Sequence, residues 1–145
     1  MKKLFVDTGA WIALNNKKDK YYETAVKANK NFIDNGYLYI TSDYILDETY
    51  TLCRYNVGHI RTVEFGIEIK SLEQMGEISI VSINQHILHD AWEIFEKYSD
   101  KDFSFTDCTS FAVMNMMDIN ESFTFDRHFE QYGLIRLPIL NYSTK

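Results

Sequence analysis

Four acidic side chains, Asp7, Glu48, Asp107 and Asp126, each stand where an apolar segment should hold them at an element end or on a buried face. Asp7 closes the run Lys3-Leu4-Phe5-Val6, and Asp126 closes Ser122-Phe123-Thr124-Phe125. Glu48 lies inside an amphipathic helical pattern and Asp107 opens another. Acids rarely leave water without a partner. Two carboxylates about 5 Å apart at an effective dielectric of about 20 repel by roughly 3 kcal/mol, so four in one cleft require protons or a cation. An oxygen-only donor set selects a hard cation, magnesium or manganese, over zinc. Magnesium keeps several of its waters, which suits hydrolysis. Each acid also has a structural alternative. Asp107 can close a capping box with Ser104, Asp126 can cap Arg127-His128-Phe129, and only one of Asp47 and Glu48 need face inward.

The elements that must position these acids alternate between strand and helix. Leu4–Val6 reads as a short buried strand, and Thr8-Gly9-Ala10-Trp11 turns into a short helix. A helix is expected from an Asp19 cap to about Asn35, stopped by Gly36, followed by a strand at Tyr37–Ile40. Thr41-Ser42-Asp43 supplies capping chemistry for a helix to Val57, ended by Gly58. His59–Gln74 forms the next helix, closed by Gly76, and Ile78–Val81 a third strand. Asn84 caps a helix to about Tyr98 whose inner face uses Ile87, Ala91, Ile94, Phe95 and Tyr98. Ser104 opens a helix carrying Phe111, Ala112, Met114 and Met117 inward. Ser122–Phe125, a short helix at Arg127–Tyr132 and a strand at Leu134–Leu137 complete the chain. Short strands, apolar on both faces and without hairpin signals, predict an α/β fold: a central parallel sheet of four to five strands flanked by helices. Ligands of such sheets bind beyond the carboxyl ends of the strands, where Asp7 and Asp126 fall.

The remaining features set limits. At 145 residues the chain suits one domain with a real core. Its formal net charge of −6 argues against a broad electrostatic grip on nucleic acid, although bound divalent cations would reverse the local field. Cys53 and Cys108 lack the spacing of a zinc site or disulfide framework and read as buried thiols. Asp7 interrupts the first apolar run too early for a signal peptide, and no stretch reaches membrane-spanning length, so a cytoplasmic location is expected. His86 and His89 share a helical face but lack a third ligand, and His59 and His128 read as isolated. Lys17, Lys18 and Lys20, beside Tyr21 and Tyr22, form the one basic cluster able to meet phosphate or a base. Arg54, Arg61 and Arg127 are further candidates, and Arg127 follows Asp126 directly.

The ordered set Val6-Asp7-Thr8-Gly9-Ala10-Trp11, Leu46-Asp47-Glu48-Thr49, Phe105-Thr106-Asp107-Cys108 and Thr124-Phe125-Asp126-Arg127-His128-Phe129 resembles the PIN-domain family, in style its small single-domain toxins of VapC type. The resemblance covers nearly the whole chain. It implies a PIN-like three-layer sandwich in a single domain over residues 1–145. It also implies a magnesium- or manganese-dependent ribonuclease that hydrolyses RNA phosphodiester bonds, leaving 5′-phosphate and 3′-hydroxyl ends. Asp7, Glu48 and Asp107 would be the principal catalytic metal ligands and Asp126 would complete the site. Thr8 would orient Asp7 or a bound water, and Ser104 or Thr106 would support Asp107. Some family members carry a second acid where this chain has His128. The partners implied are RNA, an antitoxin protein that blocks the site with a C-terminal segment, and a second copy in a homodimer. Two alternatives stay open: a PIN nuclease of RNA processing or decay with no toxin role, and a non-catalytic PIN-like scaffold binding RNA or protein. Keeping all four acids argues against the scaffold.

Overall fold

Leu4, Phe5 and Val6 are consecutive, apolar and fully buried, so both faces of the strand they form are covered. In a computed structural model, which describes residues 2–140, this strand is the middle of a five-stranded sheet. Met1 and residues 141–145, the two ends of the expected domain, lie outside the described residues. The strands are β1 (Lys3–Val6), β2 (Leu38–Ser42), β3 (Ile78–Val81), β4 (Glu121–Phe123) and β5 (Ile135–Leu137). All pairings are parallel, in the order β3-β2-β1-β4-β5, as the absence of hairpin signals predicts. The helices are α1 (Thr8–Asn15), α2 (Tyr22–Asp34), α3 (Asp43–Val57), α4 (His59–Gln74), α5 (Gln85–Lys97), α6 (Phe105–Met116) and α7 (His128–Tyr132).

The chain leaves β1 toward β2 and β3 on one side, then returns to β4 and β5 on the other. The point where the direction reverses lies between β1 and β4, and parallel sheets open a crevice at the carboxyl side of that point. Helix α6 is buried from Asp107 through Met114, so it runs through the interior rather than over it. Its Phe111 ring stacks on Tyr132 at 4.4 Å and meets Phe129 edge-on at 5.1 Å, locking α6 to α7. Gly58 separates α3 from α4 at φ 89°, a conformation that a Cβ would strain. Among the described residues no helix is long and apolar enough to cross a membrane.

Three expectations need correction. Helix α2 starts at Tyr22, not Asp19, because Asp19 spends its side chain on a turn, accepting from the Tyr21 backbone N–H at 2.8 Å. Phe95, expected inward, is 42% exposed and meets Phe105 edge-on at the surface, while Ile87 and Ala91 are buried as expected. Strand β4 stops at Phe123, not Phe125. Beyond it the Thr124 N–H still donates to Leu137 O at 3.0 Å, but the Thr124 hydroxyl turns to the acids and bends the chain out of the ladder.

Candidate active site

Asp7 leaves β1 at the central strand's carboxyl end and forms the N-cap of α1. Its own N–H donates to Phe123 O at 3.0 Å, which pins it to the end of β4. Thr124 Oγ1 donates to Asp7 Oδ2 at 2.8 Å and accepts from the Asp126 N–H at 3.0 Å, so one hydroxyl ties two acids together. Asp7 is 7% exposed. Its pKa is raised from 3.8 to about 7, chiefly by burial and in part by the charges of Asp107 and Asp126, against the lowering effect of the Thr124 hydrogen bond.

Asp107 arrives from the interior helix. The capping box anticipated from Ser104 is present: Ser104 Oγ accepts from the Asp107 N–H at 2.9 Å, and Asp107 Oδ2 accepts from the Ser104 N–H at 3.0 Å. The cap and the site are therefore not rivals, since capping uses one carboxylate oxygen and fixes the rotamer of the other. Asp107 is buried, which raises its pKa, while the Ser104 N–H draws it down. Asp126 is half-buried and accepts from the His128 N–H at 2.9 Å in a local turn.

His128 is not isolated. Its Nδ1 lies 2.9 Å from Asp107 Oδ2 and 3.3 Å from Asp126 Oδ1. Ligand atoms of Asp107, Asp126 and His128 lie within 4.8 Å of one another, a spacing that one metal ion can span. His59 also has a partner, the Arg54 guanidinium at 3.0 Å. His86 and His89 stand on the exposed face of α5, each beside an acid one turn on, Asp90 and Glu93. Cys53 and Cys108 are free and buried, and burial pushes the Cys108 thiol up to about 11.

The other predicted residues fall around this cluster. Glu48 is exposed on α3, with no hydrogen bond or ion pair among the described residues, and it borders an open depression of about 480 Å³ together with Asp47 and Thr106. The fold thus brings Asp7, Asp107 and Asp126 together and leaves Glu48 on the neighbouring wall, connected through Thr106. Thr8 is buried, and its hydroxyl has no hydrogen-bond partner among the described residues. Lys17, Lys18 and Arg127 are exposed. The basic loop is tied to the site, because Tyr21 stacks flat on Phe125 at 4.3 Å, one residue before Asp126, with Lys20 Nζ 4.9 Å from the Tyr21 ring centre. A larger cleft of about 540 Å³, lined by Trp11, Tyr39, Phe65 and Ile69 among others, lies elsewhere and contains none of the four acids.

Sequence reasoning passed over Thr124 and read His128 as isolated. Each stands two residues from Asp126, on either side, the spacing at which Thr hydroxyls and Asp carboxylates bond the local backbone. That signal was present but unspecific.

Residues 4–134 match the PIN domain. Two curated relatives are similar over almost the whole chain, the proteins named 23S rRNA-specific endonuclease VapC20 from Mycobacterium tuberculosis strains CDC 1551 / Oshkosh and ATCC 25618 / H37Rv. Each is 28% identical over 134 residues, 92% of this chain and 97% of the relative. A crystal structure of Mycobacterium tuberculosis VapC20, described as a sarcin-ricin loop cleaving toxin, superposes with a TM-score of 0.76, covering 91% of this chain and 96% of that one.

Proposed function

This chain belongs to the PIN-domain family, and from that premise we propose that it is a divalent-cation-dependent endoribonuclease, the toxin half of a toxin–antitoxin pair. One observation carries the reading. Asp7, Asp107 and Asp126, drawn from three separate parts of the sequence, lie within electrostatic reach of one another at the crevice between β1 and β4.

The residues fit a hard cation. Burial raises the pKa of Asp7 to about 7, a shift that a positive ion beside it would reverse. One residue along, the buried Thr8 hydroxyl has no partner among the described residues. Asp7, Asp107 and Asp126 would hold the ion, with Glu48 joining from α3. Bound there, magnesium or manganese supplies the positive charge that acidifies an attacking water and offsets the charge growing on the phosphate. The chain does the rest. Thr124 and the Ser104 N–H hold Asp7 and Asp107 in fixed rotamers. The N-termini of α1 and α6 add a field that favours anionic groups. Thr8 orients Asp7 or a water beside it, and Thr106 occupies the wall between Asp107 and Glu48.

Lys17, Lys18 and Arg127 are the proposed phosphate contacts. The Tyr21–Phe125 stack, which joins the loop after the two lysines to the segment before Asp126, supports the reading for Lys17 and Lys18, and Arg127 follows Asp126 directly. Hydrolysis breaks the bond from phosphorus to the 3′ oxygen, leaving 5′-phosphate and 3′-hydroxyl ends. The relatives' name makes 23S rRNA the first substrate to test. An antitoxin protein, a homodimer and a cytoplasmic setting belong to the same reading.

The test is cleavage of a 23S rRNA fragment containing the sarcin-ricin loop with magnesium or manganese. Wild type is compared with Asp7→Asn and Asp107→Asn, and with EDTA. Cleavage by wild type alone, abolished by chelation, supports the proposal. Equal cleavage by all three proteins would assign the activity to a contaminant. No cleavage of rRNA, tRNA or mRNA, with no cation binding by calorimetry, would leave a non-catalytic PIN-like scaffold.

A further inference from the structure

His128 stands where two carboxylates meet one donor. Nδ1 is flanked by Asp107 Oδ2 at 2.9 Å and Asp126 Oδ1 at 3.3 Å. Both neighbours are acceptors, so the ring nitrogen between them carries the hydrogen, in the neutral or the charged imidazole alike. The ring is braced on several sides. Its backbone N–H donates to Asp126 Oδ1 at 2.9 Å, and the Phe103 ring meets it edge-on at 5.5 Å. The next residue, Phe129, is fully buried against Phe5 and Phe111.

This geometry divides the carboxylate oxygens into two sets. Asp107 Oδ2 accepts from both the Ser104 N–H and His128, and Asp126 Oδ1 accepts from both the backbone and the ring of His128. The second oxygen of each acid, Asp107 Oδ1 and Asp126 Oδ2, makes no protein hydrogen bond among the described residues. One oxygen per acid is committed to the scaffold and one is left for a ligand. Bridging also offsets the repulsion of two like charges held together without a cation.

We propose that His128 is a positioning residue of this cluster: its Nδ1–H bridges Asp107 and Asp126 and leaves the second oxygen of each available to a divalent cation. The proposal rests on the metal-dependent reading above. Groups that orient metal ligands from behind typically carry a ten- to hundred-fold share of metal affinity.

Substitutions that differ in where they place a donor test it. Asparagine can put an amide N–H near the position of Nδ1, whereas glutamine reaches toward Nε2. Manganese binding to the full chain is measured by the electron-spin signal of the free ion, beside urea unfolding curves for each variant. The expected result is that His128→Ala weakens manganese binding roughly ten- to hundred-fold, that His128→Asn recovers most of that loss, and that His128→Gln does not. Binding by His128→Ala equal to wild type would overturn the proposal while leaving the metal reading intact. So would an asparagine variant no better than glutamine, a comparison that decides the matter even if the alanine variant fails to fold. Absence of manganese binding by wild type would overturn both.

Discussion

Asp7→Asn should make the metal-free protein more stable and at the same time inactive. Asp7 in the fold ionises near pH 7 and in the unfolded chain near 3.8, chiefly because burial strips water from the carboxylate. An acid whose folded pKa is raised weakens the fold as it ionises. The penalty is absent below pH 3.8, grows through the interval, and is complete above pH 7. The gap between 3.8 and about 7, at about 1.4 kcal/mol per pH unit, amounts to about 4 kcal/mol. Asparagine keeps the shape and still accepts from Thr124, but carries no charge. At pH 8 in EDTA it should therefore gain about 2–4 kcal/mol over wild type, the lower figure allowing for local relaxation and water entry. At pH 4 the two proteins should agree within about 0.5 kcal/mol.

Urea unfolding followed through the buried Trp11 measures both conditions. Glu96→Gln, at an exposed acid on α5, controls for the loss of one charge from a chain of net charge −6. Magnesium should close most of this gap by stabilising wild type by about 2.7 kcal/mol at a hundred times its dissociation constant, while the variant gains little. An Asp7→Asn protein weakened equally at pH 4 and pH 8 would refute the reasoning.

Other perturbations probe different parts of the same arrangement. Thr124→Val keeps the β-branched shape but removes the hydroxyl between Asp7 and Asp126. It should cost about 1–3 kcal/mol in urea unfolding, with Thr124→Ser recovering most of the loss. Lys17→Ala combined with Lys18→Ala should raise KM for RNA and flatten its salt dependence with kcat little changed, and a fall in kcat alone would place the loop in catalysis instead. Phe111→Ala, which empties a fully buried position against Phe103, Phe129 and Tyr132, should cost about 3–5 kcal/mol by thermal or urea unfolding. It should also loosen Asp107, seen as weaker manganese binding.

What the sequence reveals about this molecule divides along the range of the forces involved. The order of strands and helices follows from local patterns, such as the apolar Leu4-Phe5-Val6 and Gly58 between two helices, so both could be read in advance. The parallel sheet follows from strands buried on both faces, a property of each segment by itself. Asp7 could be placed because a carboxylate directly after a buried strand is anomalous wherever that strand lies in the sheet, and Asp126 because it closes an apolar segment, although its strand ends at Phe123. The donors that aim these acids could not be read, because they depend on pairings between distant segments. Thr124 reaches Asp7 across 117 positions and His128 reaches Asp107 across 21. Neither side chain is unusual in its local sequence. Glu48 shows the converse: its helical pattern was legible, but its exposure on α3 depends on how α3 settles against α6, which no periodicity encodes. An acid site of this kind is therefore announced by its ligands, while its orientation is set by the tertiary contacts around them. Substitutions at Thr124 and His128 should consequently change how the site binds a cation before they change whether the chain folds.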